Sequence, residues 1–140
     1  MSRRSGLPFD KIVAEHHHQW ARIYLRTDDV VEVHLFPGKY NSEKVLGVVE
    51  EIKRLKNKPH LLILTLPHRL SMSTWSGVKA VFSKPGVDYS MAKAYVFPSY
   101  LQYIIAKAGR WYLRPVSPMR FFRKREQAEA WLKSFQGYGI

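Results

Sequence analysis

Three groups of residues in this 140-residue chain have types and spacings that could do chemistry. The first is His16-His17-His18. Consecutive side chains alternate on a strand and fan around a helix, so three in a row cannot all face one ligand. His16 and His18 could share one strand face and hold a metal weakly. An exposed polar strand edge is the simpler account of the run, and no metal is assigned. The second group is Ser71, Ser73 and Thr74, followed by Trp75. Their hydroxyls stand where a helix should start and suit N-capping. A phosphate there would face helix N–H groups, with Arg69 and Lys79 close in sequence, so the same residues also suit a phospho-switch or a partner surface. The third group interleaves Trp111, Tyr112, Phe121 and Phe122 with Arg110, Arg114, Arg120, Arg123, Lys124 and Arg125. Aromatic and basic residues so mixed can stack bases and hold phosphates, although aromatics beside sheet and helix ends also serve as core.

No catalytic constellation accompanies them. Cysteine is absent, which removes disulfides, thiolate metal ligands and a thiol nucleophile. Gly47, Gly77 and Gly86 are isolated and build no phosphate loop. There is no His-x-x-x-His pair, no Gly-x-Ser-x-Gly turn and no close pair of carboxylates in the apolar half. Neither an enzyme nor a cofactor is expected.

Composition is that of a folded domain, 46% hydrophobic and 14% aromatic. The longest uninterrupted apolar run, Leu61 to Leu64, is far below the roughly 20 residues a membrane-spanning helix needs. The first residues lack the apolar core of a secretion signal, and the expectation is a cytoplasmic protein without a membrane span. The net charge is +12 and unevenly placed: from Ile52 to Arg125 Asp88 is the sole acid against fifteen Lys and Arg. Such a field attracts polyanions, although it also serves solubility.

The elements that must position these groups follow from periodicity. Residues 1–15 read as a flexible arm and 16–137 as one domain. Ala21, Ile23 and Leu25 alternate with Arg22, Tyr24 and Arg26, Thr27-Asp28-Asp29 turns the chain, and Val31, Val33 and Leu35 resume the alternation. This predicts an antiparallel hairpin with one buried face. Asn41 or Ser42 should cap a helix with the stripe Val45, Val48, Val49, Ile52 and Leu55, stopped by Asn57-Lys58-Pro59. On its wet side Glu50 and Arg54 are spaced to pair. Leu61 to Leu66 is continuously apolar, as a central strand covered on both faces should be. Val78, Val81 and Phe82 give a short helix, ended by Lys84-Pro85-Gly86. Lys93 to Phe97 is a strand. Pro98 suits the first turn of the next helix, whose apolar face is Leu101, Ile104, Ile105 and Ala108 and which Gly109 can end. Pro115 and Pro118 hold an extended connection to the edge strand Met119–Phe122, and Ala128, Trp131, Leu132 and Phe135 stripe the last helix.

From about Val31 to Phe135 this order resembles the SpoIIAA-like, STAS/SEC14-type domains, in particular small stand-alone bacterial members of unassigned function. The resemblance rests on Leu61-Leu62-Ile63-Leu64, on Ser71-Met72-Ser73 leading to a helix that reaches Phe82, and on Ala92-Lys93-Ala94-Tyr95-Val96. It continues through Ala106-Lys107-Ala108, Arg120-Phe121-Phe122 and Ala128-x-x-Trp131-Leu132. It implies an α/β single-domain fold with a mixed four- to five-stranded sheet flanked by helices, here with an N-terminal β-hairpin. Two positions depart from the family. Thr65-Leu66-Pro67 ends the central strand with no carboxylate nearby, where anti-sigma antagonist members carry an acid. Arg123-Lys124-Arg125 stands where an Asp-like cap is usual, an unfavourable charge at a helix start that suggests an anion site.

The resemblance implies a non-enzymatic interaction or regulatory module that binds a protein partner around Ser71 to Trp75. Nucleic-acid binding through Arg110, Arg114, Arg120, Arg123, Lys124 and Arg125 is the alternative, with steep salt dependence as its mark. A small apolar or lipid ligand is a third reading that requires an internal cavity. The uncovered edge of the hairpin could also pair two copies as a homodimer.

Overall fold

Residues 12–55, 61–83, 90–114 and 118–135 are described by the computed structural model. The arm over residues 1–11, Asn57-Lys58-Pro59, Lys84-Pro85-Gly86, Asp88, Pro115 and the end of the domain at 136–137 lie outside them.

Eight strands and four helices are present among the described residues. They run β1 (Ile12–His17), β2 (Ala21–Arg26), β3 (Val30–Leu35), β4 (Gly38–Tyr40), α1 (Ser42–Leu55), β5 (Leu61–Leu66), β6 (Ser71–Ser73) and α2 (Trp75–Phe82). Then follow β7 (Ser90–Val96), α3 (Tyr100–Leu113), β8 (Met119–Phe122) and α4 (Arg125–Lys133). The main sheet has the order β1-β2-β3-β5-β7-β8. β1, β2 and β3 are antiparallel, and β3, β5, β7 and β8 are parallel. The mixed sheet flanked by helices is as expected; it has six strands where four or five were expected, because β1 adds an antiparallel edge to the hairpin. Ile12 to Glu15, read as the end of an arm, lie instead in β1, at the edge of the sheet.

The strand period of two sorts the side chains onto two covered faces. Ala21, Ile23, Val31, Val33, Leu61 and Ile63 pack against Val48, Val49 and Ile52 of α1. Tyr95, Met119 and Phe121 continue that face under α2 and α3. The opposite face, Val30, Leu62, Leu64, Ala92, Ala94 and Phe122, is covered by Ala128 and Leu132 of α4. The hairpin β2–β3 therefore has two buried faces, not one. Tyr24 and Arg26, on the side that alternation leaves for solvent, are 1% and 4% exposed, and Glu32 beside them is fully buried.

Local signals place most boundaries. Asn41 Oδ1 accepts from the Lys44 N–H and Thr74 Oγ1 from the Gly77 N–H, capping α1 and α2. Pro98, expected in the first turn of α3, precedes the helix, and Ser99 caps it by accepting from the Gln102 N–H. α3 runs on past Gly109, whose missing side chain lets the helix sit against Val78 and Phe82. Arg54 pairs with Glu51 and not with Glu50.

β4 and β6 form a separate two-stranded parallel ladder, Gly38 to Ser71 through Tyr40 to Ser73. Tyr40 fastens it to the main sheet. Its buried hydroxyl lies 2.7 Å from the carbonyl oxygens of both Trp20 and Phe36 and shares one proton between them. Burial pushes this phenol from its usual 10 up to about 12. The unfolded chain ionises first, so between these values the folded state binds more protons and stability falls as pH rises. Alkaline denaturation should lose about 2–3 kcal/mol between pH 10 and pH 12 through this one group. Urea titrations across that window should show the slope in the wild type and a flatter response in Tyr40→Phe. Equal slopes in the two proteins would refute it.

Candidate functional site: an exposed apolar face above a cavity

The helix α3 does not bury the stripe that its spacing advertises. Leu101, Ile104 and Ile105 are 65%, 43% and 45% exposed, and Ala108 is exposed as well. The residues that pack inward are Tyr103, Ala106, Gly109 and Leu113. Two apolar stripes compete on this helix, and the one that carries Ala106 and Gly109 takes the core, with Gly109 set against Val78 and Phe82 of α2. Tyr100, Leu101, Ile104, Ile105, Ala108, Trp111 and Tyr112 all fall within about 140° of arc at 3.6 residues per turn. An apolar band thus runs along the outside of the whole helix. Trp111 and Tyr112 stand 75% exposed.

Beside this band lies the Ser71–Trp75 segment. Gln102 of α3 donates to the carbonyl oxygens of His68 and Ser71 and holds β6 against the first turn of α3. Met72 and Trp75 are each 56% exposed, and Lys79 lies over the Trp75 ring. The three hydroxyls have different lives. Ser71 is buried and donates to the His68 carbonyl, Thr74 caps α2, and Ser73 is exposed. Of these three, a modifying enzyme could reach Ser73 without opening the fold.

Under the same face, a cavity of about 150 Å³ separates the sheet from α1, α2 and α3. Val33, Thr65, Lys93, Tyr95 and Phe121 supply its floor, and Val49, Val78 and Ala106 its roof. Exposed Met72, Ser73 and Ile105 stand at its rim. The small-ligand reading requires an internal cavity, and this one opens to the surface between Met72, Ser73 and Ile105.

The six basic residues do not gather into one patch. Arg123 donates to the carbonyls of Phe97 and Pro98 and lies over the Tyr100 ring, at the start of α3. Arg110 is ten residues further along that helix, roughly 15 Å away, and Arg114 follows its last turn. Arg120 lies over Phe122 on the α4 side of β8, the opposite face of the sheet. Lys124 is exposed at the start of α4. Arg125, read as an unopposed charge at a helix start, is instead paired with Glu32 and Glu129. The aromatic cluster divides likewise: Trp111 and Tyr112 are outside, while Phe121 and Phe122 are buried on opposite faces of β8.

The partners of Arg125 belong to a network that periodicity did not reveal. Arg26 reaches Asp28 at 2.6 Å, Glu129 at 3.0 Å and Glu32 at 3.2 Å, and His34 lies 2.6 Å from Glu32. Burial opposes the Arg26 charge, but hydrogen bonds to Glu129 and Asp28 outweigh it and hold the guanidinium above its ordinary pKa. The four-residue spacing of Arg125 and Glu129 was its visible trace. The network joins the hairpin to α4 and lies across the sheet from the cavity, so it belongs to the scaffold.

His16, His17 and His18 project along the β1 edge and the turn after it. His17 Nε2 lies 2.7 Å from Glu15, and His18 Nδ1 accepts from the Trp20 N–H. Among the described residues no three His, Asp or Glu side chains converge as metal ligands, and no helix is long and apolar enough to cross a membrane.

No family model matches the chain, and no curated protein matches it. Among solved structures it is similar to an uncharacterized protein of the DUF3478 family with a SpoIIAA-like fold from Shewanella loihica PV-4. That similarity has 15% identity, covers 85% of this chain and 90% of that one, and has a TM-score of 0.49.

Proposed function

We propose that this chain is a non-enzymatic, cytoplasmic STAS-like interaction module that docks a protein partner on the face built by β6, the start of α2 and the outer band of α3. The observation that carries this reading is the exposure of Met72 and Trp75 beside the apolar band of α3. Large contiguous apolar surfaces on otherwise folded proteins mark contact sites, and aromatic residues are their usual anchors. The net charge of +12 favours an acidic partner, which would be steered to the face by the field. Ser73 at the cavity rim is the hydroxyl where phosphorylation would add negative charge to this face.

A photo-crosslinking amino acid at Trp75 should give one dominant adduct in cells, lost when Leu101→Asp is added. The same probe at Glu50, exposed on α1, should give none. Identical adducts from both positions, or none from Trp75, would overturn the docking face. Nucleic-acid binding predicts instead a steep salt-dependent titration with mixed-sequence oligonucleotides, weakened by changes at Arg110 and Arg114 together with Arg123 and Lys124.

A further inference from the structure

The cavity and the exposed band of α3 are continuous. Gln102 ties α3 to β6 through the His68 and Ser71 carbonyls, and Gly109 sets the same helix against Val78 and Phe82 of α2. Between these two ties α3 rises about 10 Å, and there Ile105 and Ala106 line the chamber. Ile105 belongs to the outer band as well, so the mouth opens into the band itself. Lys93 on the floor is engaged within the fold, and Val33, Val49, Val78 and Phe121 make the surroundings apolar. Charge is distributed just as unevenly. Residues 61–83 and 90–114 carry the exposed bases Arg69, Lys79, Lys107, Arg110 and Arg114 and, among the described residues, no acid. Every described Asp and Glu stands instead on β1, β3 or the β2–β3 turn, on α1 or on α4. Lys79 lies over Trp75 on the α2 side of the band. On the other side, Lys107 falls about 20° outside the band edge at Tyr100, counting 3.6 residues per turn.

We infer that the partner presents a short acidic helix, one large apolar side chain of which inserts into this chamber while its carboxylates meet Lys79 and Lys107; the inference rests on the docking face proposed for the chain. The volume sets the anchor. A cavity of about 150 Å³ holds a benzene-sized body, so a Phe ring or a Leu side chain fits and a phospholipid tail does not. An anchor seated in a central chamber is the usual way a few residues carry most of an interface. The flanking bases set the charge, because they favour an acidic segment and set a second copy of this chain against its own cations. The helices set the shape. Inside α2 and α3 the main chain is satisfied along each helix, so a partner meets side chains, and an amphipathic helix laid along α3 matches them.

A display library randomised along one face of a short helical scaffold, selected against the full chain, tests the assignment. Enriched peptides should be rich in Asp and Glu around a single invariant Phe, Trp or Leu. Replacing that anchor by Ala in an enriched peptide should weaken binding at least about tenfold, and so should Lys79→Glu combined with Lys107→Glu in the protein. Val78→Phe, which fills the chamber without changing charge, should weaken binding as much. Should that variant fail to fold, Ala106→Leu narrows the chamber from α3 and should have the same effect. Amide NMR shifts locate the bound peptides. Enriched peptides that lack acids or an anchor and still shift Met72, Trp75 and Ile105 would overturn this inference and leave the docking face standing. No enrichment, or peptides that shift only residues elsewhere, would overturn the inference, while the crosslink from Trp75 separately decides the face. Capture of the chain by phosphatidylserine vesicles with no acidic peptide enriched would assign the band to a membrane surface and overturn it as well.

Discussion

Arg26→Met is expected to destabilise the protein by about 3–5 kcal/mol, the usual cost of breaking a buried ion pair from one side. Arg26 contacts three carboxylates, and one of them, Glu32, is fully buried. Without the guanidinium, Glu32 keeps Arg125 and His34, but Asp28 and Glu129 lose their shared cation. Glu32→Leu alone should cost less, because Arg26 retains two acids. The double variant should recover part of the loss. Replacing a buried pair by apolar groups of similar volume removes the desolvation cost together with the attraction. Denaturant unfolding of the two single variants and the double variant measures this coupling directly. Single variants within about 1 kcal/mol of wild type would show that the network is solvated and stabilises little.

Gly77→Ala should cost about 3 kcal/mol, against the sign that helix propensity predicts. Alanine in place of an interior helical glycine ordinarily stabilises by about 1 kcal/mol. Here an added Cβ would stand 2.0 Å from the Tyr40 carbonyl oxygen and 2.9 Å from its carbon. That contact is with backbone, which no rotamer change relieves, and the same oxygen accepts from the Thr74 N–H at 3.0 Å. The first turn of α2 must then move off the β4–β6 ladder, and overpacking of this kind lies at the upper end of the usual 1–3 kcal/mol. Gly109→Ala is the matched control. Its Cβ would meet Val78 Cγ1 at 3.1 Å, a side-chain contact that a small shift relaxes, so it should fall near neutral. Equal effects at the two positions would contradict this reading of the close approach.

Much of the fold was legible because apolar periodicity reports which elements form. Val48, Val49 and Ile52 on α1, the continuous strand Leu61–Leu66 and the stripe of α4 packed where their spacing placed them. Periodicity reports poorly on which apolar face is chosen. Leu101, Ile104 and Ile105 have helical spacing and still face outward, because Tyr103, Ala106 and Gly109 fit the approach of α2 better. It also cannot tell a wet face from one covered by a distant element. Arg26 reads as solvent-facing, and α4 supplies the residues that bury and pair both it and Glu32. At the docking face, Ser71 to Trp75 could be located from capping residues and a helix start. The band on α3 needed the tertiary structure, since the approach of α2 and the sheet decides which face of that helix is covered.

The tie between the hairpin and α4 has a kinetic side. Arg26 and Glu129 are 103 residues apart in sequence, and Glu32 and Arg125 are 93 apart. Contacts at such separation close long loops, and their entropy must be met before the ion pairs return any free energy. The hairpin, α1 and the parallel strands have nearer partners, and loop-closure entropy predicts that they assemble ahead of them. A network completed after the rate-limiting step does little to hasten folding and acts mainly by slowing escape from the native state. The charges buried beneath α4 thus serve as a late latch, setting how long a folded molecule lasts more than how quickly it forms.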